Sequence, residues 1–317
     1  MRIYNIHTKK ILCYVGITHP GTEERELYNP SCVVVTQPQQ RMEFSRRGRI
    51  STEDGQYVIV ADRGNHKIKW YKLSISNTPR SGYKALLVLK KSIGDEGRIF
   101  FNIVDISLKT HQDQQTLLVI DREFLSEWTM NGKFIRKENI QMLLHNKLNI
   151  KKNPTIIPEE LAPHIIEWAE EWRIMTRTGP FINDDLNFVV ELIGVPTHSV
   201  ILPKSGNIAI ICRVLGIIII DYKTLEVMNI IYVSSHISGI AADSEDNIIV
   251  RLKSQQNKLQ IYSIEGNLLS ERPDFPFLSH VPLPAFPVVD LTIHWTEENQ
   301  GLLVFPNQDQ IVIYKPE

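Results

Sequence analysis

Five histidines fall in short stretches between apolar runs: His19 in "ITHPG", His66 in "RGNHK", His198 in "PTHSV", His236 in "SSHIS" and His280 in "LSHVP". Asp105 and Asp290 stand near the starts of apolar runs. Imidazoles and carboxylates are the side chains that bind zinc or calcium, and a zinc site needs three or four of them converging at about 2.1 Å. His19, His198, His236, Asp105 and Asp290 are therefore the candidate metal ligands, with zinc or calcium as the metal. Their spacing does not by itself force convergence. The chain contains no HExxH, GxSxG, P-loop or GxGxxG pattern, so no linear motif stands behind an enzyme. Cys13, Cys32 and Cys212 are far apart, odd in number and without a CxxC, which argues against a disulfide framework and against a cysteine zinc site. The leading expectation is no catalytic residue and no cofactor; the metal reading is the alternative.

The second available chemistry is anion binding. "RMEFSRRGRISTEDG" places Arg41, Arg46, Arg47 and Arg49 around Met42 and Phe44, and guanidinium groups pair with phosphates and carboxylates. The plainer alternative is a solvated basic loop. The excess of positive charge extends beyond this loop. Residues 1–137 carry 22 Lys and Arg against 14 Asp and Glu, a net +8, and residues 138–317 carry 13 against 22, a net −9. Such an asymmetry would orient an acidic partner or a nucleic-acid strand on the early part of the chain; the plainer alternative is solvated surface on both halves.

What positions these residues is a repeat. "NHKIKWYKL", "REFLSEWTMNGKF", "NKLQIYSIEGNLL" and "DQIVIYKPE" align with Tyr71, Trp128, Tyr262 and Tyr314 in one register. Each follows an apolar run of similar length: "YVIVAD", "TLLVID", "NIIVRL" and "GLLVFP". "IAIICRVLGIIIID" reads as two further buried strands. Asn131-Gly132 and Glu265-Gly266 then occupy equivalent tight turns that need positive φ. The unit is a meander of four antiparallel strands, and its recurrence predicts a β-propeller.

"YVIVADRGNHKIKWYKL" (57–73) closely resembles the NHL repeat, in which an apolar strand is followed by Asp, a small residue, Gly-Asn-His, a basic residue, Ile and an aromatic strand. The resemblance covers residues 55–73; Asp121-Arg122 keeps the Asp in a later unit. It implies an all-β fold, a six-bladed β-propeller of four-stranded antiparallel blades. It also implies a non-catalytic recognition or scaffold module for proteins and, as in tripartite-motif relatives, single-stranded RNA. Arg63, Asn65 and His66 join the four loop arginines as candidate binding residues. The structural alternative is a turn staple: the Asp62 carboxylate accepts backbone N–H groups, and Gly64 and Asn65 take left-handed φ. In a propeller the loops between strands gather around the mouth of the channel, and His19, His198, His236, Asp105 and Asp290 placed there loosely resemble the sites of two enzyme families on six-bladed propellers, peptidyl-amidoglycolate lyases with histidine-bound zinc and gluconolactonase-like hydrolases with a carboxylate-bound metal.

Outer strands are expected at "ILCYVG", "ALLVLKKSIG", "FIRKENI", "FVVELIG", "EVMNIIYV" and "NLLSERP". A helical insertion is expected at about 139–188, where "PEELAPHIIEWAEEWRIM" opens on Pro158 and spaces Leu161, Ile165, Trp168 and Trp172 at helical intervals. Pairing of residues 1–16 with 288–317 is expected to close the ring. Residues 1–317 thus read as one domain, monomeric. With 43% hydrophobic and 22% charged residues, no secretion signal and no membrane-length apolar run, the expected setting is cytoplasmic.

Overall fold

The computed structural model describes residues 2–5, 10–14, 26–36, 42–44, 50–52, 56–78, 82–94, 99–111, 114–122, 124–147, 195–212, 215–233, 236–252, 258–273, 292–295, 301–307 and 310–314. The chain divides into two compact units, Met1–Arg122 with Ser126–Arg136, and Glu123–Leu125 with Lys137–Glu317.

In the first unit β1 (Arg2–Asn5) and β2 (Lys10–Tyr14) pair with each other in their own two-stranded sheet. The first four-stranded sheet comprises β3 (Cys32–Val35), β6 (Gln56–Asp62), β7 (Lys67–Thr78) and β8 (Gly82–Ile93), all neighbours antiparallel. Between its first two strands β4 (Met42–Phe44) and β5 (Ile50–Thr52) form a hairpin. The next sheet runs from β9 (Ile103–His111) through β10 (Gln114–Asp121) and β11 (Phe124–Thr129) to β12 (Phe134–Asn139), and its last two strands straddle the division between the units. One helix, α1 (Ile140–Lys147), follows directly.

The second unit repeats the meander: β13 (Pro196–Ile201), β14 (Ile208–Cys212), β15 (Gly216–Ile220) and β16 (Val227–Tyr232), then β17 (Ile237–Ala242), β18 (Ile248–Leu252), β19 (Lys258–Tyr262) and β20 (Leu268–Pro273). A sheet of three strands, β21 (Thr292–Trp295), β22 (Gly301–Asn307) and β23 (Gln310–Tyr314), comes last. The fold is all-β, and among the described residues it contains four four-stranded antiparallel sheets.

The strand pattern follows from burial on both faces. β14 and β15 are buried at every position, which is why "IAIIC" and "GIIII" read as continuous apolar runs and not as alternating ones. In the first unit Ile59, Ile68 and Trp70 pack against Ile103, Ile106, Leu117 and Trp128 in one core. In the second, Ile211, Ile217 and Ile219 pack with Ile240, Ile248 and Val250. The aromatic register falls on third strands: Tyr71 in β7, Trp128 in β11, Tyr262 in β19 and Tyr314 in β23. Gly132 (φ 69°) and Gly266 (φ 94°) take the left-handed turns assigned to them. Four of the expected outer strands are the fourth strands β8, β12, β16 and β20. "ILCYVG" supplies β2, which pairs with β1, and the expected pairing of this N-terminal stretch with the C-terminal strands does not occur among the described residues. "FVVELIG" and the Pro158 stretch lie outside the described residues.

Candidate functional site

The site begins where β6 ends. Asp62 is wholly buried and its carboxylate is fully engaged: Oδ1 accepts the backbone N–H of Tyr28 at 2.7 Å, and Oδ2 accepts Asn65 Nδ2 at 2.8 Å and meets Lys69 Nζ at 2.9 Å. Lys69 Nζ also donates to the Glu26 carbonyl at 2.6 Å. A carboxylate so enclosed is a fastener and not a base. It joins the β6–β7 turn to the chain that enters β3 of the same sheet, where the expected staple reached only into its own turn.

The turn itself differs from the sequence expectation in one respect. Arg63–Asn65 form a single 3-10 turn, and the left-handed residue is His66 (φ 54°), whose backbone N–H bonds the Arg63 carbonyl. Gly64 is present for a different reason from left-handedness. Its N–H donates to the Tyr28 carbonyl at 2.7 Å, and a Cβ there would lie 2.5 Å from that oxygen and from the Tyr28 ring. Only a residue without a side chain permits the approach.

The next sheet uses the same clasp. Asp121, at the end of β10, accepts the backbone N–H groups of Phe101 and Asn102 at the entrance to β9, with Phe101 N at 2.9 Å from Oδ2. In both sheets, then, an Asp closing the second strand holds the backbone of an aromatic residue ahead of the first strand. In both the next residue is arginine. Tyr28 is 46% and Phe101 57% exposed, and Arg63 and Arg122 are exposed as well.

Arg63 and Arg122 both reach the 101–102 strap. Arg63 Nε donates to Asn102 Oδ1, and the Arg122 guanidinium lies 4.3 Å from the centroid of the Phe101 ring. The Arg122 backbone N–H bonds the Asn102 carbonyl at 3.1 Å, and its left-handed φ of 53° turns it over the ring. His66 leans on Phe101 from the side, ring centroids 6.4 Å apart. Its Nδ1 is buried and has no hydrogen-bond partner among the described residues. Both carboxylates are consumed inward while both guanidiniums stay exposed. Such a surface suits an anion flanked by flat or apolar groups.

Of the sequence candidates, the structure brings Arg63, Asn65 and His66 into this site, Asn65 as an internal brace. Tyr28, Phe101 and Arg122 were missed; the signal for them is the repeated Asp-Arg after an apolar strand, at 62–63 and 121–122. Arg41, Arg46, Arg47 and Arg49 lie outside the described residues, in the connection that carries the β4–β5 hairpin.

His19 and Asp290 also lie outside the described residues. Asp105 and His198 hold corresponding places in their own sheets. Each follows a β-bulge near the start of the first strand, at Val104 and Thr197, and a third bulge falls at Ser238 in β17. Thr197 Oγ1 and Ser238 Oγ each donate across the bulge to the second strand, to the Ile211 and Arg251 carbonyls at 3.5 and 3.2 Å. Asp105 Oδ1 accepts the N–H of Ile106 at 2.8 Å. His236 directly precedes β17. Among the described residues no three His, Cys, Asp or Glu side chains gather to hold a metal ion, and no helix is long and apolar enough to cross a membrane.

No protein-family model matches the chain, and no curated protein matches it. Solved structures match at low identity. Kuenenia stuttgartiensis hydrazine synthase is 10% identical over 80% of this chain and 54% of that one, with a TM-score of 0.41. A crystal structure of BBS1N in complex with ARL6DN is 11% identical over 90% and 65%, with a TM-score of 0.45. A protein of unknown function from Bacteroides caccae is 11% identical over 83% and 73%, with a TM-score of 0.41. The chain thus spans 54% and 65% of the first two chains it matches.

Proposed function

We propose that this chain is a non-catalytic recognition module, a six-bladed propeller of the NHL type, that works as a monomer in the cytoplasm and binds an anionic partner. The observation behind this reading is the twice-used clasp: Asp62 and Asp121 are spent on backbone N–H groups, and Arg63, Arg122, Tyr28 and Phe101 are left outward. A surface of that composition offers attraction and contact area to a partner. The net +8 of residues 1–137 adds long-range attraction for the same partner.

The test is to titrate two anionic probes, an oligouridylate and a polyglutamate, into the purified protein across a salt series, with metal analysis of the same sample. Binding of either probe that weakens with salt, in protein free of stoichiometric metal, supports the module. Stoichiometric zinc or calcium, or no binding of either probe at low salt, overturns it.

A further inference from the structure

Resting on that reading, we propose that the ligand of the Arg63–Phe101–Arg122 surface is a linear peptide in which an anionic side chain, carboxylate or phosphate ester, stands beside an apolar one. Arg63 has its Nε committed to Asn102 Oδ1, which sets the plane of the guanidinium and leaves the two terminal nitrogens as a fork. Arg122 is set by its seat on Phe101. Neither guanidinium meets a carboxylate among the described residues. Two oriented, exposed guanidiniums carried by one two-residue strap form a receptor for an oxyanion, and the fork geometry matches carboxylate and phosphate alike.

The surroundings choose between a peptide and a nucleic acid. A base stacks on an open aromatic face, and Arg122 leaves at most one face of Phe101 for it. What the strap leaves exposed is apolar: Ile99 is 44% and Phe101 57% exposed, two residues apart on the entrance to β9. Apolar surface beside a guanidinium pair fits an aliphatic or aromatic side chain adjoining an acidic one. It does not reward a chain of phosphates that needs a cation at each step. Arginine and aromatic residues are also the side chains that concentrate binding energy at protein contacts.

The experiment is an immobilised array of short peptides in which one position is Glu, phosphoserine or Gln and a neighbouring position is Leu, Phe or Ser. It is probed with the intact protein and with the Arg63→Gln/Arg122→Gln double variant, and oligouridylate is titrated separately. Both substitutions are at exposed positions, and an unchanged melting temperature verifies the fold. The expected result is binding to acidic–apolar peptides, loss of binding to the Gln and Ser controls, and an affinity lower by about tenfold in the double variant. The Glu and phosphoserine arms show which oxyanion is preferred. The proposal is overturned if no acidic–apolar peptide exceeds its Gln control, if the double variant binds like wild type, or if oligouridylate binds more tightly than every peptide. In the last case the anionic-partner reading stands and only the peptide fails.

Discussion

Asp62 and Lys69 form an ion pair at 2.9 Å with side chains 0% and 2% exposed. A pair so enclosed is tolerable only because its remaining valences are filled, on Asp62 by Tyr28 and Asn65 and on Lys69 by the Glu26 carbonyl. Asp62→Ala strands the ammonium in the core, and chemical denaturation should register a loss of about 3–5 kcal/mol. A loss under about 1 kcal/mol, the scale of an exposed pair, would mean that Lys69 finds water in the folded protein.

Gly64→Ala tests the close approach to Tyr28. The added methyl meets a backbone oxygen, which cannot swing aside as a side chain can. The expected cost is about 1–3 kcal/mol, together with displacement of the Tyr28 ring seen as a change in near-ultraviolet circular dichroism. Gly64→Ala with wild-type stability and spectrum would remove the steric account of the glycine.

Replacing Arg41, Arg46, Arg47 and Arg49 together by Ser separates the loop arginines from the clasp arginines. Their connection leaves the first sheet at the end opposite the Asp62 turn. Folding stability should move by no more than about 0.5 kcal/mol. Affinity for an anionic partner should fall by about 1–3 kcal/mol in sum, with a flatter salt dependence. Superimposable binding curves would assign all recognition to the Arg63–Arg122 surface.

Cys212 gives a pH dependence with a definite sign. Burial pushes its thiol well above the ordinary value of 9.0, so the folded chain keeps the proton where the unfolded chain releases it. The thiol's contribution is complete below pH 9.0 and declines as pH rises past it. Cys212→Ala should therefore flatten the alkaline loss of stability, by at most about 1.4 kcal/mol per pH unit. Parallel wild-type and variant curves between neutral and alkaline pH would show that the thiolate is not excluded. The native thiol should also resist alkylation until the protein unfolds.

Strand content and turn glycines were legible because they rest on local rules: burial on both faces in "IAIIC", positive φ at Gly132 and Gly266. The aromatic register was legible for the same reason. Asp62 was recognisable as a turn residue, but its partner was not, because Tyr28 is 34 residues away and donates a backbone N–H that any residue type carries. Phe101 escaped notice likewise; what marks it is the carboxylate of Asp121, 20 residues later. Gly64 was read as a φ requirement when the constraint is a steric one imposed by a distant carbonyl. Asp105 and His198 share a post-bulge place that no spacing in the sequence announces.

The clasp also has a temporal side. Each four-stranded sheet is drawn from one contiguous stretch of chain, and in the first two the bonds from Asp62 to Tyr28 and from Asp121 to Phe101 join the second strand to the approach of the first. The backbone bonds can thus form before the third and fourth strands have packed, and at Asp62 the latch is completed when Lys69 of β7 arrives. Loops of 34 and 20 residues close cheaply, and short-range contacts form early. The first two four-stranded sheets can therefore be secured at one end while the chain beyond them is still being synthesised.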